Sequence, residues 1–273
     1  DFVITNGTFS SFEIVSSQWI RIWVTANAEG PVTIAPSGTF AAADLAANVQ
    51  TSTVAGSDRS VTYDITAPTL TLAQAATQAD PARLSPIRFT LIASESLDAS
   101  SVTAADFSVT GGSVSSVSCS GASCTVNVAP ATDGTVTIAL SGAFSIADPA
   151  GNAATSASTG DLSVVYDATA PVITLQQGFT QSDPTSGSTI VFRLISTEPL
   201  NLTTVTSGDF TLTNATFGSF DTTDPASIRI LVTASAQGAV TIAPAGGFAV
   251  SDIAGNMTTT AAGSPRARSA PST

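Results

Sequence analysis

A chain of 273 residues with 20 Asp and Glu against eight Arg, and neither Lys nor His, carries a formal charge of −12. That balance excludes nucleic acid as a partner, because phosphate binding needs clustered cations, and it makes divalent cations the natural counterpart. It also removes the usual nucleophile–base pairs of an enzyme, and no uninterrupted apolar run approaches the roughly 20 residues of a membrane-spanning helix.

Helical periodicity is almost absent, while period-two alternation runs through the chain. Near the start, Trp19-Ile20-Arg21-Ile22-Trp23-Val24 reads as a strand with Ile20, Ile22 and Val24 buried and Trp19, Arg21 and Trp23 on an outer face. Val32-Thr33-Ile34 is the next strand, followed by the loop Asp44-Leu45-Ala46-Ala47-Asn48 and the linker Tyr63-Asp64-Ile65-Thr66-Ala67-Pro68. Beyond it, Thr69–Leu72 opens a second series, Asp80-Pro81 and Ser85-Pro86 punctuate a loop, and Ile87, Phe89 and Leu91 alternate with Arg88 and Thr90. A short loop or single helical turn over 102–105 precedes Asp106-Phe107. A hairpin through Cys119 and Cys124 then leads to Val126-Asn127-Val128, Val136-Thr137-Ile138 and Val164-Val165-Tyr166. The third series repeats the pattern with Ile190, Phe192 and Leu194, then Val240-Thr241-Ile242.

The spacing is periodic. Asp44, Asp148 and Asp252 open Asp-x-Ala-x-Asn loops at intervals of 104 residues, and Asp64 and Asp167 in the linkers are 103 apart. A fixed period of this length means tandem domains. The expected boundaries are 1–64, a partial domain lacking its first strands; 65–167, a complete domain; and 168–273, a domain without a clear last strand. About seven short strands in roughly 100 residues, with turn signals every ten or so, predict a two-sheet antiparallel sandwich; an open barrel is the alternative. Asp1-Phe2 aligns with Asp106-Phe107 and Asp209-Phe210, which fall inside their repeats. The chain therefore reads as an excerpt of a longer polypeptide, the alternative being that neighbouring subunits supply the missing strands.

The linkers Tyr63–Pro68 and Tyr166–Pro171, the loops Gln78–Pro81 and Gln181–Pro184, the strand ends at Glu95 and Glu198, and the Asp-x-Ala-Gly-Asn loops resemble the bacterial Ig-like repeats of large cell-surface and biofilm-type adhesins. The match covers the chain up to Gly263. It implies an all-β fold of tandem Ig-like antiparallel β-sandwiches and an extracellular, bacterial cell-surface location. The expected function is a structural one, in a stalk or filament whose interdomain joints calcium stiffens.

In a sandwich of this type, the linker, the loop after the second strand and the loop before the last strand share one pole. Asp64, Glu95, Asp148 and Asn152 should gather at the first junction, and Asp167, Glu198, Asp252 and Asn256 at the second. Hard oxygen donors in such a cluster suit Ca²⁺; Asp-x-Ala-Gly-Asn is equally a good turn, with Asp receiving backbone amides and Gly taking positive φ. Recurrence of these acids with the repeat points to architecture, since a glycosidase-type catalytic pair is expected once, and no enzyme is expected. The expected partners are neighbouring repeats of the chain and identical subunits in a filament. The Trp19–Arg21–Trp23 face suits a glycan or protein contact, or simple packing of Arg21 between two rings. Cys119 and Cys124 allow a hairpin disulfide or a pair of thiols.

Overall fold

The computed structural model describes residues 1–50 and 58–263. In the first repeat the strands are β1 (Phe2–Thr5), β2 (Gly7–Ser16), β3 (Trp19–Ala26), β4 (Gly30–Pro36), β5 (Ala42–Ala43), β6 (Val49–Gln50) and β7 (Ser60–Tyr63). The second holds β8 (Leu70–Gln74), β9 (Ile87–Ala93), β10 (Phe107–Thr110), β11 (Gly112–Ser120), β12 (Ser123–Pro130), β13 (Gly134–Leu140), β14 (Ala157–Thr159) and β15 (Ser163–Tyr166). In the third are β16 (Ile173–Gln177), β17 (Thr189–Ser196), β18 (Phe210–Thr213), β19 (Ala215–Asp221), β20 (Ser227–Ala234), β21 (Thr241–Pro244), β22 (Val250–Ser251), β23 (Met257–Thr258) and β24 (Ala261–Gly263). The loss of pattern after Gly263 lies outside the described residues.

The second repeat shows how alternation becomes a sandwich. Five strands, in the order β11-β12-β9-β8-β14, form one sheet, and β10-β13-β15 form the other. Ile87, Phe89 and Leu91 point inward from β9, as do Leu70 and Leu72 from β8 and Cys124, Val126 and Val128 from β12. They meet Val136, Ile138 and Val164 of the facing sheet in one core, each fully buried side chain contributing about 1.5–3 kcal/mol. The third repeat places Ile173, Leu194, Ile228 and Ile230, on the sheet β19-β20-β17-β16-β24, in an equivalent core with Val250 of β22. Among the described residues the pairings between named strands are antiparallel with two exceptions. The short edge strands β14 and β24 run parallel to β8 and β16. Alternation does not reveal β14: Ala157-Ser158-Thr159 has no apolar stripe, and Ser158 is held by hydroxyl contact with Thr71 at 2.8 Å and a bond to the Leu70 carbonyl.

The Asp-Phe pairs are structural. Asp106 (5 % exposed) and Asp209 (7 %) each close a single 3-10 turn. Asp106 accepts bonds of 2.8 Å from the Thr103 amide, the Thr103 hydroxyl and the Ser145 amide. Burial pulls its pKa up, but the bonds from Ser145 and Thr103 outweigh that and leave it lowered.

In the first repeat one expectation fails. Ile20, expected in the core, is 56 % exposed, and Ile22 is only half-buried. The corresponding Cys124 and Val126 are covered because β9 lies alongside β12 and β8 beyond it. Among the described residues β3 pairs with β2 alone, so the inner face of this ribbon has no third strand to complete its cover.

Ala47 occupies the turn position that Gly151 and Gly255 fill in the other repeats, at φ 65° against 93° and 89°. A Cβ in the left-handed region costs roughly 1–2 kcal/mol. Ala47→Gly should therefore stabilise the first repeat by about 1 kcal/mol, read as a raised urea midpoint with unchanged slope.

Candidate metal sites at the repeat junctions

Each junction is built by three elements. Asp64 follows β7 and starts the linker, Glu95 follows β9, and Asp148 opens the loop between β13 and β14. At the second junction the same places are held by Asp167 after β15, Glu198 after β17 and Asp252 after β22. Sheet pairing brings these strand ends to one pole. One carboxylate oxygen from each of Asp64, Glu95 and Asp148 lies within 4.8 Å of the others, and the same holds for Asp167, Glu198 and Asp252. Asp148 and Asp252 are 2 % and 1 % exposed, and the other four are half-buried.

The turn beneath each triad holds its deepest acid in place. Asp148 Oδ1 accepts from the Asn152 amide at 2.9 Å and Oδ2 from Asn152 Nδ2 at 2.8 Å. Asn152 Nδ2 also donates to the Asp64 carbonyl at 3.1 Å, tying loop to linker. The second junction repeats this: Asn256 Nδ2 donates to Asp252 Oδ2 at 2.9 Å and to the Asp167 carbonyl at 2.8 Å. Asn152 and Asn256, expected among the oxygen donors, thus present their amide nitrogens to the acids and the linker. Gly151 and Gly255 take positive φ in these turns, so the turn reading and the cluster reading hold together in one loop.

Charge is unequally tolerated. Burial pulls Asp148 up, but the Asn152 side chain and backbone bonds leave it lowered. Glu95 is raised, by desolvation first and then by Asp64 and Asp148. Glu198 is pushed up to about 7, again by desolvation first and then by Asp167 and Asp252. The ion pairs among the described residues are Arg21–Glu13 and Arg229–Asp221, so neither triad has an Arg counter-ion there. Two like charges about 4 Å apart near a protein surface repel by roughly 4 kcal/mol.

Two acids that reasoning from sequence missed complete the joints. Glu29, between β3 and β4, accepts from the Ile65 amide at 2.9 Å and the Thr66 hydroxyl at 2.7 Å. Asp133, between β12 and β13, accepts from the Ala168 amide at 3.0 Å and from the Thr169 hydroxyl. These linker bonds, the Thr bond foremost in each, hold both carboxyls below the usual range. Their signal was available: an acid, then Gly and one further residue, leading into Val-Thr-Ile, at Glu29 and Asp133. Each linker is thus gripped by an acid of the preceding repeat and an Asn of the following one. At the second joint Arg83 also reaches the following repeat's loop, its Nε lying 3.5 Å from where a Cβ on Gly255 would stand.

The donor set fits a hard divalent cation. Oxygens bound to one Ca²⁺ at about 2.4 Å can be no more than about 4.8 Å apart, and all three carboxylates of each triad meet that limit. Asp64, Glu95 and Asp148 would hold one ion, and Asp167, Glu198 and Asp252 the other.

Elsewhere, Arg21 lies 5.3 Å from the Trp19 ring and 5.5 Å from the Trp23 ring and pairs with Glu13 at 3.2 Å. The two rings remain 54 % and 42 % exposed. Cys119 and Cys124 face each other across β11 and β12 as a disulfide.

The chain is an all-β array of Ig-like antiparallel sandwiches with acidic clusters where repeats meet. No protein-family model matches it, and no curated protein matches it significantly. Among solved structures it is similar to invasin, a bacterial integrin-binding protein (15% identity, TM-score 0.38, covering 89% of this chain and 48% of that one). It is also similar to InvD of Yersinia pseudotuberculosis (16%, TM-score 0.33, 74% and 60%). A third is the N-terminal part of the bacterial S-layer protein SbsC (18%, TM-score 0.26, 64% and 42%). The chain spans less than two thirds of the length of each.

Proposed function

We propose that this chain is a load-bearing segment of an extracellular bacterial surface protein, a stalk or filament whose successive sandwiches are held in line by calcium. The observation that carries the reading is the duplicated junction: three carboxylates from a linker and two loops, converging within 4.8 Å at both joints. A bound Ca²⁺ would cancel the repulsion within each triad and tie the linker to the following sandwich. The bacterial surface setting follows from the resemblance of the linker and loop motifs to adhesin repeats. No catalytic role is assigned.

A ligand bound only by the folded state raises stability by mass action, about 2.7 kcal/mol at a hundred times its dissociation constant. The chain should melt higher in millimolar Ca²⁺ than in excess chelator, and Asp167→Ala should remove the part of the shift owed to the second joint. Superimposable curves would sink the calcium reading and leave stiffness to the hydrogen bonds of Glu29, Asp133, Asn152 and Asn256.

A second reading rests on the exposure of Trp19 and Trp23, which offer a ring–guanidinium face to a glycan or a protein. Cell or glycan binding that survives the joint change Trp19→Ala, Trp23→Ala would eliminate it.

A further inference from the structure

We propose that the outer face of the third repeat's five-stranded sheet binds a carboxylated sugar, a sialic- or uronic-acid residue of a glycan. Four outward side chains stand in one row across four strands. Gln176 of β16 lies opposite Arg193 of β17, Arg193 opposite Arg229 of β20, and Arg229 opposite Asp221 of β19. Like charges placed directly opposite each other destabilise an antiparallel pair, and the fold does not require them here. In the second repeat the same row reads Ala73, Thr90, Thr125 and Ser118, with no charge in it.

The two guanidiniums are held differently. Arg229 pairs with Asp221 at 2.9 Å. Arg193 makes no ion pair among the described residues; its Nη1 donates to Ser227 Oγ at 2.6 Å, and its Cζ lies 4.6 Å from the centre of the Phe179 ring. A guanidinium stacked and hydrogen-bonded in this way is oriented before any ligand arrives, which lowers the entropy lost on binding. Two guanidiniums against one carboxylate leave the row with a positive charge in excess, in a chain of net charge −12. That excess matches a single carboxylate, which a planar guanidinium binds through two parallel N–H donors, whereas the net charge of the chain opposes a polyanion.

The surroundings favour a sugar. β17 and β20 are interior strands, each paired on both sides, so no backbone edge is open to an added peptide strand. Phe179 is 70 % exposed and offers apolar surface to sugar carbons. Gln176 carries an amide that both donates and accepts, as sugar hydroxyls require. The row takes no residue from either acidic triad, so this site and the calcium reading stand or fall separately.

The test titrates the full chain, in excess chelator, with sialyllactose and separately with lactose, its neutral part, while NMR follows the arginine Nε–H resonances. Sialyllactose should shift those of Arg193 and Arg229 saturably, and lactose should not. Arg193→Gln should weaken binding about tenfold or more, a loss of ~1.4 kcal/mol or more. Asp221→Asn removes the competing carboxylate and should tighten binding, a change that loss of fold cannot mimic. Arg88→Gln, at an exposed position on β9 of the second repeat, should leave binding unchanged. The absence of a saturable shift, equal binding of lactose, no tightening by Asp221→Asn, or equal weakening by Arg88→Gln overturns the proposal. A short peptide with a single Glu that binds as tightly as sialyllactose would assign the row to an acidic peptide and overturn the choice of a sugar.

Discussion

Glu198→Gln should raise the melting temperature of the cation-free chain at pH 8 and lower it in saturating Ca²⁺. The Glu198 carboxyl is pushed up to about 7 by desolvation and by Asp167 and Asp252, from an ordinary value of 4.5. Between those two values the folded chain holds a proton that the unfolded chain has released. Stability therefore falls as pH rises through this window and is lowest above 7. The Gln variant carries no such proton and should show a flatter dependence from pH 4.5 to 7. After discounting for solvent screening, the effect at pH 8 is about 1–2 kcal/mol, or roughly 5–10 °C for a unit of this size. Saturating calcium should invert the order, because the wild-type triad gains a counter-ion and the variant's neutral amide is a weaker ligand than a carboxylate. Glu95 is raised for the same reasons, first desolvation and then Asp64 and Asp148, so Glu95→Gln should move in the same direction. A Glu198→Gln chain whose chelated pH profile matches wild type would show that the three carboxylates do not interact as their geometry requires.

The triads were legible because their members sit at punctuation marks of the sequence. Asp64 and Asp167 stand before Thr-Ala-Pro, Glu95 and Glu198 end alternating strands, and Asp148 and Asp252 open loops with Gly at the fourth position. Strand count then places all six at one end of their sandwiches. Glu29 and Asp133 were harder. Their partners at Thr66 and Thr169 lie 37 and 36 residues on, and only the folded path of the intervening strands makes them neighbours. The Asn residues were found but their role was not, since an amide side chain offers either oxygen or nitrogen and composition does not say which. The exposure of Ile20 escaped the pattern for another reason. Alternation states which side of a strand is apolar, whereas burial depends on what lies beside that strand, and no described residue fills the adjoining position here. The parallel edge β14 was invisible because its hold on β8 comes from backbone pairing and hydroxyl bonds, which leave no hydrophobic period.

Asn256 separates turn from ligand. It is 9 % exposed, and its Nδ2 bonds both Asp252 Oδ2 and the Asp167 carbonyl. Asn256→Ala removes both bonds and leaves the 1 % exposed Asp252 carboxylate with the two backbone amides of residues 255 and 256. Stripping a partner from a buried charge costs about 3–5 kcal/mol when nothing else satisfies it. With those amides retained, the loss in chelator should be nearer 2–3 kcal/mol, roughly the range for a hydrogen bond to a charged group together with the orphaned carbonyl. Asn256→Asp makes the opposite demand on charge: it keeps the shape, replaces the Nδ2 donor by a carboxylate oxygen, and sets a fourth acid against Asp252. In chelator it should be at least as destabilising as Ala. In saturating Ca²⁺ the two should diverge, with Asp recovering stability and Ala not, because only the former gives the cation another oxygen. Equal responses to calcium would mean that the loop serves as a turn alone, and the junction would then owe its geometry to the hydrogen bonds that grip the linker from both sides.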